Sequence, residues 1–279
     1  IRFEANGKFA KDIMTPREKL ITGTMNTSID EAKDILDKYR IEKLPLVDSK
    51  NRIMGLITAK DILNHINRPH ASLDKRGRLL VGAAIGVKDY MERAKALVDA
   101  GVDVLVIDIA HGHSDLAINA LQNLKKIFKV DIIAGNVATG EGTKDLIEAG
   151  ADAIKVGVGP GSICITRIVT GAGIPQLTAI LECALIAKKY DVPIIADGGI
   201  RTSGDLTKAL AAGASTVMLG SVLAGTDESP GEILIKDGRR AKIIRGMAGY
   251  GANMSKRERE NMRSDVFDIV PEGVEGVVP

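Results

Sequence analysis

The chain has 279 residues, 45% of them hydrophobic, and its 38 Lys and Arg against 36 Asp and Glu give a formal net charge of +2. That length can bury a main domain with a smaller one beside it, and the near balance of charge points to neither a nucleic-acid nor an anionic-membrane partner. Two cysteines give no disulfide framework, no apolar run reaches the roughly 18 residues of a membrane span, and no signal peptide is read at the opening, so a soluble, cytoplasmic protein is expected.

The opening "IRFEANGKFA" reads as the interior of something longer. After it, "SIDEAKDILDKYRIEKLPLVDSKNRIMGLITAKDILNHI" predicts a helix begun by Ser28, a short strand at 44–47, a polar turn, a strand at 52–57 and a second helix. Residues 1–66 are therefore expected to form a small α+β unit, joined by the polar linker "NRPHASLDKRGR" (67–78) to a larger, barrel-like region.

From residue 79 the texture changes. "ALVDAGVDVLVIDIA", "DLIEAGADAIKVGVG" and "KALAAGASTVMLGSV" repeat one phrase, the end of an amphipathic helix, a glycine stop (Gly101, Gly150, Gly213), then a continuous apolar strand. Glycine just past a helix end takes the left-handed cap conformation cheaply. Uninterrupted apolar strands are expected to be buried on both faces, as in a parallel sheet covered by helices. Six strands are predicted, at 79–86, 102–110, 130–137, 151–158, 192–199 and 215–222, with starts 23, 28, 21, 41 and 23 residues apart. Even spacing favours a (β/α)8 barrel over a doubly wound sheet, yet a barrel needs eight strands. Either an amino-terminal piece is lacking or the sheet is open.

The one long interval holds "VGVGPGSICITRIVTG" (156–171), where glycines at alternate positions strip side chains away and let the backbone approach a partner closely. Cys164 in that loop, with amide dipoles around it, is a candidate nucleophile, and Thr166 presents a hydroxyl two residues on. Cys183, in the apolar helix "LTAILECALIAKKY", reads as a small hydrophobe. At the ends of the last two predicted strands, "IIADGGI" and "VMLGSVLAG", the small residues Gly198, Gly199, Gly220 and Ser221 leave N–H groups exposed. A phosphate commonly sits on the loops after strands seven and eight of such barrels, and Ser162 in the cysteine loop adds a hydroxyl. The plainer reading is that these glycines only let helices pack close to strands. Asp197 suits ribose hydroxyls, or else caps a helix or joins a surface ion pair. His111 and His113 in "DIAHGHS" could pair on a metal, but no third ligand is evident.

Taken together, "GVGPGSICITR", "ADGGIRTSGD", "MLGSVLAGTDESPGE", "RGM" and "VPEGVEGVVP" closely resemble the IMP dehydrogenase family and its sister, GMP reductase, and the front unit resembles a CBS module. The resemblance implies a (β/α)8 barrel whose first two strands precede a CBS pair, so that this chain would hold six of the eight strands and the second CBS module. It implies oxidation of IMP to XMP with NAD. Cys164 would attack C2 of the purine, hydride would leave to NAD, and the covalent intermediate would be hydrolysed. Ser162, Gly198, Gly199, Gly220 and Ser221 would hold the phosphate, Asp197 the ribose, and Gly246, Met247 and Glu272 the base. Asp108, Asn136 and Gly157 would face the nicotinamide nucleotide, and Thr166 would position the hydrolytic water. The carbonyls of Gly159, Gly161 and Cys164 would bind potassium in a loop completed by a neighbouring subunit of a homotetramer. Thr58 and Asp61 in "GLITAKD" would contact the ribose of an adenine nucleotide on the CBS module.

Three departures stand out. The flap "GYGANMSKRERENMRSDVF" (249–267) lacks the family's Arg-Tyr pair that activates water, leaving Arg257, Arg259 and Arg263 as candidates, or a solvated charged helix with no catalytic part. Ile244 stands where a phosphate-contacting tyrosine is usual, and "RGMGS" reads "RGMAG" with Ala248. The dehydrogenase leads, with "GSVLAGTDESPGE" fitting it better. GMP reductase, which needs no hydrolysis, and a non-catalytic adenine-nucleotide sensor remain as alternatives.

Overall fold

The computed structural model describes residue 7 and residues 9–75, 77–259 and 271–279, with backbone alone at 256–259. The chain divides into two compact units, Ile1–Leu79 and Leu80–Pro279.

In the first unit a short helix α1 (Ala10–Ile13) and strand β1 (Gly23–Thr24) lead into helix α2 (Ile29–Tyr39), strands β2 (Lys43–Val47) and β3 (Ile53–Thr58), and helix α3 (Ala59–Asn67). Both longer helices begin with reciprocal caps. The Ser28 hydroxyl accepts from the Glu31 N–H at 3.2 Å while the Glu31 carboxylate accepts from the Ser28 N–H at 2.8 Å, and Thr58 and Asp61 repeat the arrangement. The β2–β3 pair is antiparallel, β1 adds parallel to β2, and Ala32, Leu36, Leu44, Leu46 and Ile62 form the core beneath them. The two-residue β1 is absent from the sequence-based expectation because so short a strand has no alternation to detect.

The second unit holds six parallel strands in sequential order: β4 (Gly82–Ile85), β5 (Val104–Asp108), β6 (Asp131–Val137), β7 (Ala153–Val156), β8 (Ile194–Asp197) and β9 (Thr216–Met218). Helices α4 (Tyr90–Asp99), α5 (Asp115–Ile127), α6 (Gly140–Glu148), α8 (Gln176–Ala187) and α9 (Ser203–Ala211) run between consecutive strands, and a one-turn helix α7 (Thr166–Val169) sits in the long β7–α8 connection. Parallel neighbours in chain order, each reached through a helix, are the repeating unit of a (β/α)8 barrel, here over six strands. The three glycine stops have φ of +87° (Gly101), +105° (Gly150) and +110° (Gly213), the region in which a Cβ is penalised.

Two expectations are corrected. Burial on both faces holds for β7, where Ile154, Lys155 and Val156 are all buried, but not for β5, where Leu105 and Ile107 are fully enclosed while Val104 and Val106, on the other face, are half-buried. The outer apolar stretches are also shorter as strands than expected. Leu79 pairs across an antiparallel bridge with Leu73, and the expected strand 215–222 ends at Met218, after which α10 (Ser221–Ala224) is helical. Hydrophobicity marks what can be buried, and pairing decides where a strand stops.

Beyond α10 lies a separate antiparallel sheet, β10 (Ile233–Lys236), β11 (Arg239–Arg245) and β12 (Glu275–Val278), with helix α11 (Tyr250–Arg259) between the last two strands.

Candidate active site

The carboxyl ends of four consecutive strands converge on one buried ammonium. Lys155 of β7 is 2% exposed, and its Nζ donates to Asp108 Oδ1 at 2.8 Å, to Asp197 Oδ2 at 2.5 Å, and to Asn136 Oδ1. Asn136 Nδ2 in turn donates to Asp197 Oδ2 at 2.9 Å and to the Gly157 carbonyl at 2.7 Å. Asp108, Asn136 and Asp197, expected from sequence, are therefore brought together, and they are joined by a lysine that the sequence reading missed. The signal was present in "DAIKVGVG", where one charge interrupts an apolar strand. Gln176 was also missed. Its Nε2 donates to the carbonyls of Val156 at 2.9 Å and Asp197 at 3.2 Å, clamping the ends of β7 and β8.

The cysteine loop is held from both sides. Arg167 donates through Nε to the Val158 carbonyl at 3.2 Å and through Nη2 to the Ile174 carbonyl at 2.6 Å, tying the two ends of the loop together. Along its other edge it pairs with residues 271–279: Ile165 N donates to the Glu272 carbonyl and Val274 N to the Ile163 carbonyl, both at 2.9 Å. That pairing sets Cys164 opposite Gly273 and brings Glu272 beside Thr166, 106 residues away in sequence. The Cys164 thiol donates to Thr166 Oγ1 at 3.1 Å, and the Thr166 hydroxyl donates to Glu272 Oε2 at 2.7 Å. A half-buried thiol thus heads a two-step hydrogen-bonded line ending on a carboxylate.

Next to this line opens a pocket of about 480 Å³, in the size range of small-molecule sites. Ser162, Asp197, Gly198, Gly199, Gly220 and Ser221 all line it, as do Ile244 and two guanidinium-bearing residues, Arg201 and Arg245. Its wall reaches Ile163, one residue before Cys164. Gly246 and Met247, which follow Arg245 in sequence, are not among the residues lining the pocket, and Met247 is 81% exposed.

The Gly161 carbonyl accepts from the Cys164 N–H at 3.2 Å, closing a tight turn over residues 161–164, and Gly159 lies two residues before it with φ +77°. Among the described residues no cluster of three or more His, Cys, Asp or Glu could hold a metal, so a cation in this turn would have carbonyl oxygens as its donors, a hard set that suits an alkali-metal ion. The His111 and His113 rings lie 6.3 Å apart and His113 Nε2 is hydrogen-bonded to Asp145 at 2.8 Å, so the metal pair is not formed. Arg257 and Arg259 belong to α11, described there by its backbone, and Arg263 lies outside the described residues. Cys183 is fully buried in α8, where desolvation pushes its thiol up to about 11.

Residues 18–279 match the family model described as IMP dehydrogenase / GMP reductase domain. The chain is 57% identical over 281 residues, 99% of its own length, to inosine-5′-monophosphate dehydrogenase of Nitrosopumilus maritimus (strain SCM1). It is also 57% identical over 287 residues, 100% of its length, to GMP reductase of Leishmania major. It spans 58% of the length of each of these relatives. Among solved structures, GMP reductase from Trypanosoma brucei in complex with guanosine 5′-monophosphate superposes with a TM-score of 0.88 at 54% identity, over 97% of this chain and 56% of that one. With a family model matching residues 18–279 and relatives 57% identical over nearly the whole of its length, the chain belongs to the IMP dehydrogenase/GMP reductase family.

Proposed function

We propose that the protein oxidises IMP to XMP through a covalent bond between Cys164 and C2 of the purine. The observation that carries this reading is the Cys164–Thr166–Glu272 line, with links of 3.1 and 2.7 Å. A nucleophile that must form and later release a covalent adduct needs a neighbouring group to move protons in both steps. The thiol proton has a path through the Thr166 hydroxyl to the Glu272 carboxylate as sulfur attacks. NAD bound on the Asp108 side would accept the hydride released from C2. The same carboxylate, through Thr166, then serves as base for the water that attacks the adduct, adding oxygen at C2 and freeing the thiol. Asp197 Oδ1 is left to accept from the ribose, and the backbone N–H groups and hydroxyls around Ser162, Gly199 and Ser221 receive the phosphate. In this reading the carbonyls of Gly159, Gly161 and Cys164 would hold a potassium ion, which would stiffen the loop. The first unit is assigned as a CBS module for an adenine nucleotide, with Thr58 and Asp61 serving first as each other's cap.

A specific observation favours a second reading, GMP reduction with NADPH. The flap at 249–267 has no Arg-Tyr pair, and a GMP reductase stands as near in sequence as a dehydrogenase. There Glu272 through Thr166 would protonate the departing amine, and no water would be needed. One assay divides the readings: NADH appearance with IMP and NAD supports the dehydrogenase, NADPH consumption with GMP supports the reductase, and neither overturns the enzyme.

A further inference from the structure

We propose that Lys155 is the positioning residue that couples the two nucleotide subsites, an inference that rests on the function proposed above. An ammonium has three N–H donors and no acceptor, and all three of these are spent, on Asp108, Asn136 and Asp197. Asp197 lines the pocket that the proposed function gives to the monophosphate, while Asp108, its side chain 43% exposed, is not among the residues lining that pocket and is the residue that function gives to the dinucleotide. Lys155 itself is 2% exposed, so it acts through these partners and not on a ligand.

The arrangement is a shared charge. Two carboxylates on β5 and β8 divide one cation on β7, and Asn136 on β6 bridges them by accepting from Lys155 and donating to Asp197 Oδ2. Buried charges are tolerated only while paired, so neither carboxylate can turn away without the ammonium shifting toward the other. A ribose hydroxyl that donates to Asp197 Oδ1 fixes that carboxylate. Through Lys155 it fixes Asp108 and Asn136 in the orientation that meets the dinucleotide, and the reverse holds equally, since coupling between sites is reciprocal.

The test is equilibrium binding by calorimetry in a Cys164→Ala background, where no turnover intervenes. IMP at saturation is expected to tighten NAD binding about tenfold, and NAD to tighten IMP binding by the same factor. Lys155→Met is expected to bring both factors to one while each nucleotide still binds, and Lys155→Arg, which keeps the charge, to restore part of the coupling. A change in fold alone would weaken both ligands without changing the ratio. A second arm needs no change at position 155. 2′,3′-Dideoxy-IMP, which lacks the hydroxyls for Asp197, is expected to bind without promoting NAD binding. The coupling is overturned if the dideoxy nucleotide promotes NAD as strongly as IMP, or if folded Lys155→Met keeps the tenfold factor. If the parent protein binds neither IMP with NAD nor GMP with NADPH, the proposed function falls and this inference with it. If a pair binds independently, the coupling alone is wrong.

Discussion

Gly157→Ala is a demanding test of how the site is built. Gly157 leaves β7 with φ +147°, and a Cβ placed there would stand 2.1 Å from the Asp197 carbonyl oxygen and 3.0 Å from Gln176 Nε2. A carbon meets a carbonyl oxygen no closer than about 3.3 Å, so the end of β8 must retreat by roughly 1 Å. The backbone strain costs about 1–3 kcal/mol and the overpacking about 1–3 kcal/mol more. In a unit of this size each kcal/mol lowers Tm by about 2–4 °C, so a fall on the order of 10 °C is expected by scanning calorimetry. Function moves with it, because the displaced atom belongs to Asp197, whose side chain holds Asn136 and Lys155. KM for the monophosphate is expected to rise at least about tenfold with the loss of a hydrogen bond to a charged group. A variant that melts within about 2 °C of the parent with unchanged KM would refute the packing described for the β7–β8 exit.

Glu272→Gln keeps an acceptor near Thr166 but removes the base used in both proton transfers, so in stopped-flow traces the NADH burst and the steady-state turnover are each expected to slow about 100-fold; a variant with both phases unchanged would reject the relay. IMP with NAD is expected to protect Cys164 from alkylation, whereas Cys183, buried with its thiol pushed up to about 11, stays unlabelled with or without nucleotide until the chain is denatured. Ser221→Glu puts a carboxylate in the pocket meant for a phosphate, and IMP affinity measured by calorimetry is expected to drop by about two orders of magnitude or more. Alanine at Arg257, Arg259 and Arg263 in turn is expected to slow the steady state at one position and spare the burst; three unaffected variants with no burst in the parent would favour the reductase. The Thr202 hydroxyl and the Arg201 and Thr202 N–H groups hold the Asp205 carboxyl below its ordinary value. Its stabilisation is thus present above the ordinary carboxylate range and lost as pH falls through the lowered value, and Asp205→Asn is expected to flatten the acid limb of Tm against pH.

What could be read from sequence was whatever is local. The Ser28 cap, the glycine stops and the apolar runs each declare themselves within a few residues, and they lead to six strands in the right order. The cysteine loop was equally legible, because glycine at alternate positions has few other uses. The lysine hub was not. Whether a charge in an apolar strand is an error or an anchor depends on Asn136, Asp197 and Asp108, which lie 19, 42 and 47 residues from it. The contact of Thr166 with Glu272 is likewise set by a pairing that no local pattern announces. The β10–β11 hairpin is a different kind of miss. Asp237-Gly238, both with positive φ, is a strong two-residue turn signal between apolar-polar alternations, and it was legible but passed over.

The antiparallel seam between the thiol loop and residues 271–279 also orders events in time. The parallel strands pair with neighbours a few tens of residues away, whereas the seam joins Cys164 to Gly273. Contacts that close long loops form late. The seam is therefore expected to close late, and until it closes Thr166 has no Glu272 carboxylate to donate to. If Cys164 is the nucleophile proposed above, its proton relay is complete only once this seam has closed.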